Sequence, residues 1–396
     1  MMEYRFADRF DNLTGSAIRA IFSLLADPKI ISFAGGNPSP QTFPAEELKA
    51  LSDRIFDERP DTVLQYGGTL GRTGALSAVK SLLEEEGLTP DMSELVMLTG
   101  SSQGIELMTK VFINPGDVVL VESPTFLGAL QTFMSYQAEL KEIEMDEYGI
   151  IPESLEAALK EKPAKFLYTI PTFQNPTGRT TPAGRRKMVY ELCAKYGTMI
   201  LEDDPYMSLR YSGEPQPSIK SFDTEGIVVK LMSFSKTISP GLRVGAAYAP
   251  RQVICKFNLG KQGMDVHTSN LTQDLVADYV FSGKYPAHIE DNCDKYRDKC
   301  ALMYELAVKY LPEGTKVVRP EGGMFLWAEL PKSVNVTELF KKAVDAGVAY
   351  VPGTHFYAHG GHNNTLRLKF TMVDEDKIRQ GMKILGDVLS GNNTTE

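Results

Sequence analysis

The residues of this chain best equipped for covalent chemistry lie in one stretch, Ser233-Phe234-Ser235-Lys236-Thr237-Ile238-Ser239-Pro240-Gly241-Leu242-Arg243. It follows an apolar, β-branched run at 227–232, which the pattern predicts to be a buried strand. A lysine held just past a strand end loses water and has its pKa lowered, and its free amine then attacks a carbonyl to form a Schiff base. Arg243, seven positions on, is a planar cation able to grip an oxyanion through two N–H groups, and Ser233 and Ser235 are short hydroxyl donors. The three together suit a phosphate. The chemistry they suggest is capture of an aldehyde that carries a phosphate tail.

Such a lysine needs partners, and the order of predicted elements supplies them. Strands are expected at 94–99, 118–122, 140–145, 166–170, 197–202, 227–232 and 244–248, mostly separated by helical segments. That alternation predicts an α/β fold with a mostly parallel, seven-stranded sheet covered on both faces. Ligands of such sheets bind beyond the carboxyl ends of the strands. Beyond the first strand stand Ser101 and Ser102, opening a helix whose N-terminus favours an anion. Phe126 follows the second, and Asn175-Pro176-Thr177-Gly178 follows 166–170. Asp203, Asp204, Pro205 and Tyr206 come next, and then Lys236. Each has an ordinary alternative role as helix cap, core aromatic, turn or solvated acid. Their recurrence at successive strand ends points to a single site for pyridoxal 5′-phosphate (PLP).

The length, 396 residues, suits two domains or one large α/β domain with an appendage. After 268 the texture changes to long helices, followed by strands at 315–318, 324–329 and 365–370 around a helix at 336–346, which predicts a smaller α+β domain. We therefore expect an N-terminal arm at 1–42 packing with the small domain, a large domain at 43–285, and the small domain at 286–396. A net charge of -9 without any basic block argues against nucleic acid. No apolar run approaches the roughly 18 residues of a membrane span, and the first residues have no apolar core of the signal-peptide type. Four cysteines without a C-x-x-C pair read as reduced thiols of a cytoplasmic protein. The G-x-x-G spacings between Gly67 and Gly74 lack a preceding strand and a G-K-[ST] ending, so neither a dinucleotide site nor a P-loop is expected. His355, His359 and His362 stand around Gly360-Gly361 in a predicted loop, and no metal is expected there.

With these motifs in place, the chain resembles the fold-type I PLP enzymes of the class I/II aminotransferase family. More narrowly it is similar to the branch holding 2-aminoadipate, kynurenine and multi-substrate aromatic aminotransferases. Asn175-Pro176-Thr177-Gly178, Glu202-Asp203-Asp204-Pro205-Tyr206 and Ser233 through Arg243 carry the likeness, which runs from Ser16 to Arg367. The resemblance implies that Lys236 holds PLP and later moves a proton between the substrate Cα and the cofactor. It implies Asp203 paired with the ring nitrogen, and Asn175 and Tyr206 on the ring oxygen. Ser101, Ser102, Ser233, Ser235 and Arg243 would hold the phosphate, and Tyr66 would reach the phosphate of a neighbouring subunit in a homodimer. Arg367 would grip the substrate α-carboxylate, with Gly36 offering a backbone contact to the same group. Strand alternation supports Arg367 independently, since Leu366, Leu368 and Phe370 face one way while Arg367 and Lys369 face the other.

Phe126 stands where these relatives more often have tyrosine, so stacking on the ring is kept and a hydroxyl is lost. A relative fused to a DNA-binding domain would need an N-terminal module that this sequence does not show. Transfer of an amino group from an L-amino acid to a 2-oxo acid such as 2-oxoglutarate is the leading expectation. Another PLP reaction (β-lyase or decarboxylase) and a non-catalytic PLP-binding or amino-acid-sensing module stay open. Arg19, on a predicted N-terminal helix, is a candidate for a distal substrate carboxylate, and Phe22, Leu24 and Leu25 for an apolar side chain.

Overall fold

The computed structural model describes residues 4–10 and 29–391. Arg19 and the predicted helix around it lie outside the described residues. The main sheet contains the seven expected strands: β2 (Leu95–Leu98), β3 (Val118–Ser123), β4 (Glu139–Asp146), β6 (Ala164–Thr169), β7 (Met199–Asp203), β8 (Val228–Ser233) and β9 (Gly245–Tyr248). An eighth, β5 (Gly149–Ile150), is a two-residue addition that folds back antiparallel on β4. Two residues are too short to leave a periodic signal, which is why the sequence pattern misses it. The strand order is β2-β9-β8-β7-β6-β3-β4-β5. Pairing is parallel from β4 through β3, β6 and β7 to β8, and β9 runs antiparallel between β8 and β2. The carboxyl ends of β2, β6, β7 and β8 therefore open on one edge.

Burial on both faces explains the near-continuous apolar strands. Val119 and Val121 of β3 share a core with Ile105, Leu107 and Met108 of the helix Ser101–Phe112 and with Phe133 of Leu127–Ser135. Their alternates, Val118 and Leu120, pack instead with Leu155 and Leu159 of Pro152–Glu161 and with Val189 of Ala183–Lys195. Strand side chains alternate between faces, so adjacent valines serve different layers.

A second, antiparallel sheet has the order β10 (Lys316–Val317), β11 (Phe325–Glu329), β14 (Thr365–Lys369), β13 (Val351–Pro352). The helices Tyr285–Tyr310 and Glu375–Leu389 pack on each other beside it. The helix Val336–Asp345 starts at Asn335, whose side chain accepts from the Thr337 and Glu338 N–H groups. β1 (Ile31–Ser32) pairs in parallel with β12 (Val348–Ala349). Further contacts bring the chain after β1 onto this sheet: Lys369 N–H donates to the Phe33 carbonyl at 2.8 Å.

Candidate active site

The carboxyl-end edge of the main sheet and the second sheet enclose a cavity of about 280 Å³. Ser101, Ser102, Phe126, Asn175, Asp203, Tyr206, Ser233, Ser235, Lys236 and Arg243 line it from the main sheet. Gly36 and Arg367 close it from the other side. Predicted residues up to 331 positions apart in sequence (36 to 367) thus meet in one place. Two predicted residues stand apart. Tyr66 is 81% exposed and is not on the cavity wall, and Arg19 lies outside the described residues.

The phosphate side of the cavity follows from sheet register. Leu98 and Ser233 both face Gly245, so the ends of β2 and β8 lie on either side of β9. The helix Ser101–Phe112 starts here, with Gly100 at its cap at φ +81, a conformation that only glycine adopts freely. A Cβ on Gly100 would lie 2.3 Å from the Arg243 guanidinium. Arg243 is itself left-handed at φ +52 and donates to Ser235 Oγ at 3.4 Å and to the Thr99 carbonyl at 3.2 Å. Short hydroxyls, an arginine and helix N–H groups converge, as a phosphate requires.

Asp203 ends β7 and is 3% exposed. Burial pushes its carboxyl up to about 7, and Asp204 adds to this, while the Tyr168 hydroxyl, Lys230 and Lys236 pull it down. Tyr168 donates to Asp203 Oδ2 at 2.8 Å, whereas Oδ1 is buried without a partner. An unpaired buried acceptor costs free energy unless a donor arrives. A protonated ring nitrogen is such a donor, so the orphaned oxygen fits the pyridine of PLP. Phe126 sits at the cap of Leu127–Ser135, its ring over Gly128, where a Cβ would come within 2.5 Å of it.

Lys236 Nζ donates to the Gly36 carbonyl at 2.8 Å. Burial first, then Arg243 and Arg367, lower its pKa to about 8 against the opposing pull of Asp203. At neutral pH a usable fraction, about a tenth at pH 7, is therefore free amine. Asn175 joins the two halves of the site. Its Nδ2 donates to the Tyr206 hydroxyl at 3.4 Å, and its Oδ1 accepts from Arg367 Nη1 at 2.8 Å. Arg367 Nη2 donates to the Gly35 carbonyl at 2.6 Å, and Nε is buried without a partner. The guanidinium lies over the rings of Phe325 and Phe356, 4.1 and 4.8 Å from their centres. Burial lowers Arg367 to about 10, and no carboxylate pairs with it among the described residues.

Sequence reasoning missed Tyr168, Gly35 and Phe325. Tyr168 reads as one more core aromatic of β6, and only the register against β7 (Tyr168 opposite Leu201) brings its hydroxyl to Asp203. Phe325 lies on the Arg367 face of β11, a pairing with β14 that no local pattern announces. The histidines at 355–362 have other surroundings: His362 stacks on Tyr357 at 3.9 Å, and His355 follows the sheet in a short 3-10 turn, Gly353–Phe356.

The family profile "Aminotransferase class I and II" matches residues 28–385. The aromatic-amino-acid aminotransferase 1 of Thermococcus litoralis is 40% identical over 393 residues, covering 98% of this chain and 94% of that protein. The 2-aminoadipate transaminase of Thermus thermophilus is 37% identical, covering 96% of this chain and 95% of its own length. The crystal structure of Pyrococcus horikoshii kynurenine aminotransferase superposes with a TM-score of 0.94 at 40% identity, covering 98% and 97% of the two chains. The chain therefore belongs to the class I and II aminotransferases.

Proposed function

We propose that this aminotransferase takes its amino group from an L-amino acid of the 2-aminoadipate, aromatic or branched-chain type and passes it to 2-oxoglutarate in a ping-pong reaction. The donor classes are those in the names of its relatives, and a structure of the Thermus α-aminoadipate enzyme holds a phosphopyridoxyl-leucine. The observation that carries the reading is a buried lysine in one cavity with a buried guanidinium that meets no carboxylate among the described residues. When bound, PLP supplies an aldehyde that accepts amines and a ring that withdraws electrons from the substrate Cα.

The chain's own residues do the rest. Ser101, Ser102, Ser233, Ser235 and Arg243 hold the phosphate, and Phe126 packs on one ring face. Asp203 Oδ1 accepts the ring N–H and keeps that nitrogen protonated. Asn175 and Tyr206 donate to the ring oxygen. Arg367 orients the substrate through its α-carboxylate, with Gly36 alongside, and so presents the Cα hydrogen to Lys236. Lys236 Nζ, as free amine, would take that proton from the substrate Cα. The α-carboxylate grip also disfavours decarboxylation, because it binds the group that would have to leave.

Tyr66 acts in the site of a second copy in a homodimer. Its support is an exposed apolar set, Leu64 (71% exposed), Tyr66 and Val266 (46%), held by Gly67 N–H donating to His267 Nε2 at 3.1 Å. The cytoplasm is the proposed compartment, supported by the free thiols of Cys193, Cys255, Cys293 and Cys300. The test is the visible spectrum of the holoenzyme with single amino acids and no oxo acid. Loss of the cofactor's visible band, regained with 2-oxoglutarate, is expected for 2-aminoadipate, aromatic or branched donors. A persistent band with release of ammonia, pyruvate or carbon dioxide would replace the reading with lyase or decarboxylase chemistry.

A further inference from the structure

One fully buried cation takes no part in the chemistry described. Lys261, on the helix Arg251–Gln262, is 0% exposed. Its ammonium donates to Gln103 Oε1 at 2.6 Å, to Asp265 Oδ2 at 2.9 Å and to Thr268 Oγ1 at 3.1 Å. An ammonium has three N–H donors, and each finds an acceptor here. Lys261 is therefore a fixed centre, not a nucleophile held in reserve.

Two of its acceptors lead to the phosphate side of the central cavity, and both go through Thr99. Gln103 Oε1 also accepts from the Thr99 N–H at 2.9 Å, and Asp265 Oδ2 accepts from Thr99 Oγ1 at 2.6 Å. Gln103 Nε2 donates to the same Asp265 oxygen at 2.8 Å, which closes the network. Thr99 is thus held at its N–H and its hydroxyl. Its carbonyl accepts from Arg243 Nη2 at 3.2 Å. The other hydrogen bonds of that guanidinium, to the Pro240 carbonyl and Ser235 Oγ, are longer at 3.3 and 3.4 Å. Ser101 and Ser102, on the cavity wall, follow Thr99 within three residues.

The opposite side of the network carries strain. Val266 has φ +64, an outlier for a β-branched residue, and the His267 N–H donates across it to the Asp265 carbonyl at 2.7 Å. Such a turn persists only where its surroundings over-determine it. Asp265 and Thr268, on either side of the turn, are both held by Lys261.

We propose that Lys261 is a positioning residue for the cofactor's phosphate. Through Gln103 and Asp265 it holds Thr99, and through the Thr99 carbonyl it aims the Arg243 guanidinium. The assignment rests on the reading of Arg243, Ser101 and Ser102 as the phosphate cup.

The test measures binding of PLP, and of pyridoxal, which lacks the phosphate, to the apoproteins of wild type, Lys261→Met and Asp265→Asn. Wild type is expected to prefer PLP. Both variants should lose about 10-fold or more in PLP affinity, as for one displaced hydrogen bond to a charged group, while pyridoxal stays within about threefold. The phosphorus NMR resonance of bound PLP is a second readout, and it should shift in both variants. A lysine that serves only the fold would weaken both ligands alike, and that result would overturn the proposal. So would a preference for PLP that both variants keep. Wild type binding the two ligands equally would refute the phosphate cup itself, and the proposal with it. Met keeps the packing of the lysine stem, and Asp265, whose side chain is 27% exposed, is the milder site, so a folding failure of one variant leaves the other to be read.

Discussion

Replacing Arg367 is the sharpest perturbation of the site. The guanidinium has five N–H donors. One Nη is directed to Asn175 Oδ1 at 2.8 Å and the other to the Gly35 carbonyl at 2.6 Å, while Nε–H is buried without a partner. On the proposed reading a substrate carboxylate would complete this pattern through Nε–H and a neighbouring N–H. Hydrogen bonds to charged groups contribute roughly 1.5–3 kcal/mol each, so losing both costs about 3–6 kcal/mol. Arg367→Met should therefore lower kcat/KM for an L-amino acid by about 10²- to 10⁴-fold, and Arg367→Lys, which keeps the charge and loses the fork, by about 10- to 150-fold. The assay pairs L-phenylalanine with 2-phenylethylamine, which has the same ring and amine without the carboxylate. Wild type should separate the two strongly, and the Met variant should bring them close together. Apoprotein stability should change little, because the two orphaned acceptors and the relieved burial of an unpaired cation oppose each other. The reasoning is refuted if both amines lose rate equally, since the arginine would then be acting on the fold or on Lys236 and not on the carboxylate.

Lys230 is fully buried between Asp204 Oδ2 at 3.1 Å and Glu86 Oε2 at 3.2 Å. Lys230→Met strands two buried carboxylates and should cost about 3–5 kcal/mol in urea unfolding of the apoprotein; a loss below about 1 kcal/mol would show that the ammonium is not what holds them. Glu122 accepts from Thr169 Oγ1 at 2.5 Å and Gln174 Nε2 at 2.9 Å, yet burial pushes it up to about 7. A carboxyl raised on folding contributes stability that is full below its unfolded pKa of about 4.3 and is lost as pH rises through about 7. Glu122→Gln should flatten the fall in apoprotein Tm between about pH 5 and pH 8; an unchanged slope assigns that fall to Asp203 instead, whose shift has the same sign.

What the sequence made legible is what a strand end can announce locally. Ser101, Asn175, Asp203 and Lys236 follow strands long enough to leave a periodic signal, and in a parallel sheet chain order places such residues on one edge without further knowledge. Arg367 was legible by alternation, because its neighbours are apolar. The illegible residues depend on register between elements distant in sequence. Tyr168 reaches Asp203 only through the β6–β7 pairing, and Phe325 reaches Arg367 only through β11 against β14. Lys369 shows the limit most clearly. The pattern placed it on the face of Arg367, yet a lysine alternating with apolar residues reads as the wet side of a strand. Only the chain at 31–37, folded over β14, turns that side into an interior and leaves the residue as a whole 4% exposed. Charge without a counter-ion is a property of the closed structure. In this site it occurs at Arg367, whose buried guanidinium meets no carboxylate among the described residues, so the protein's own electrostatics call for a substrate that brings an anion to it.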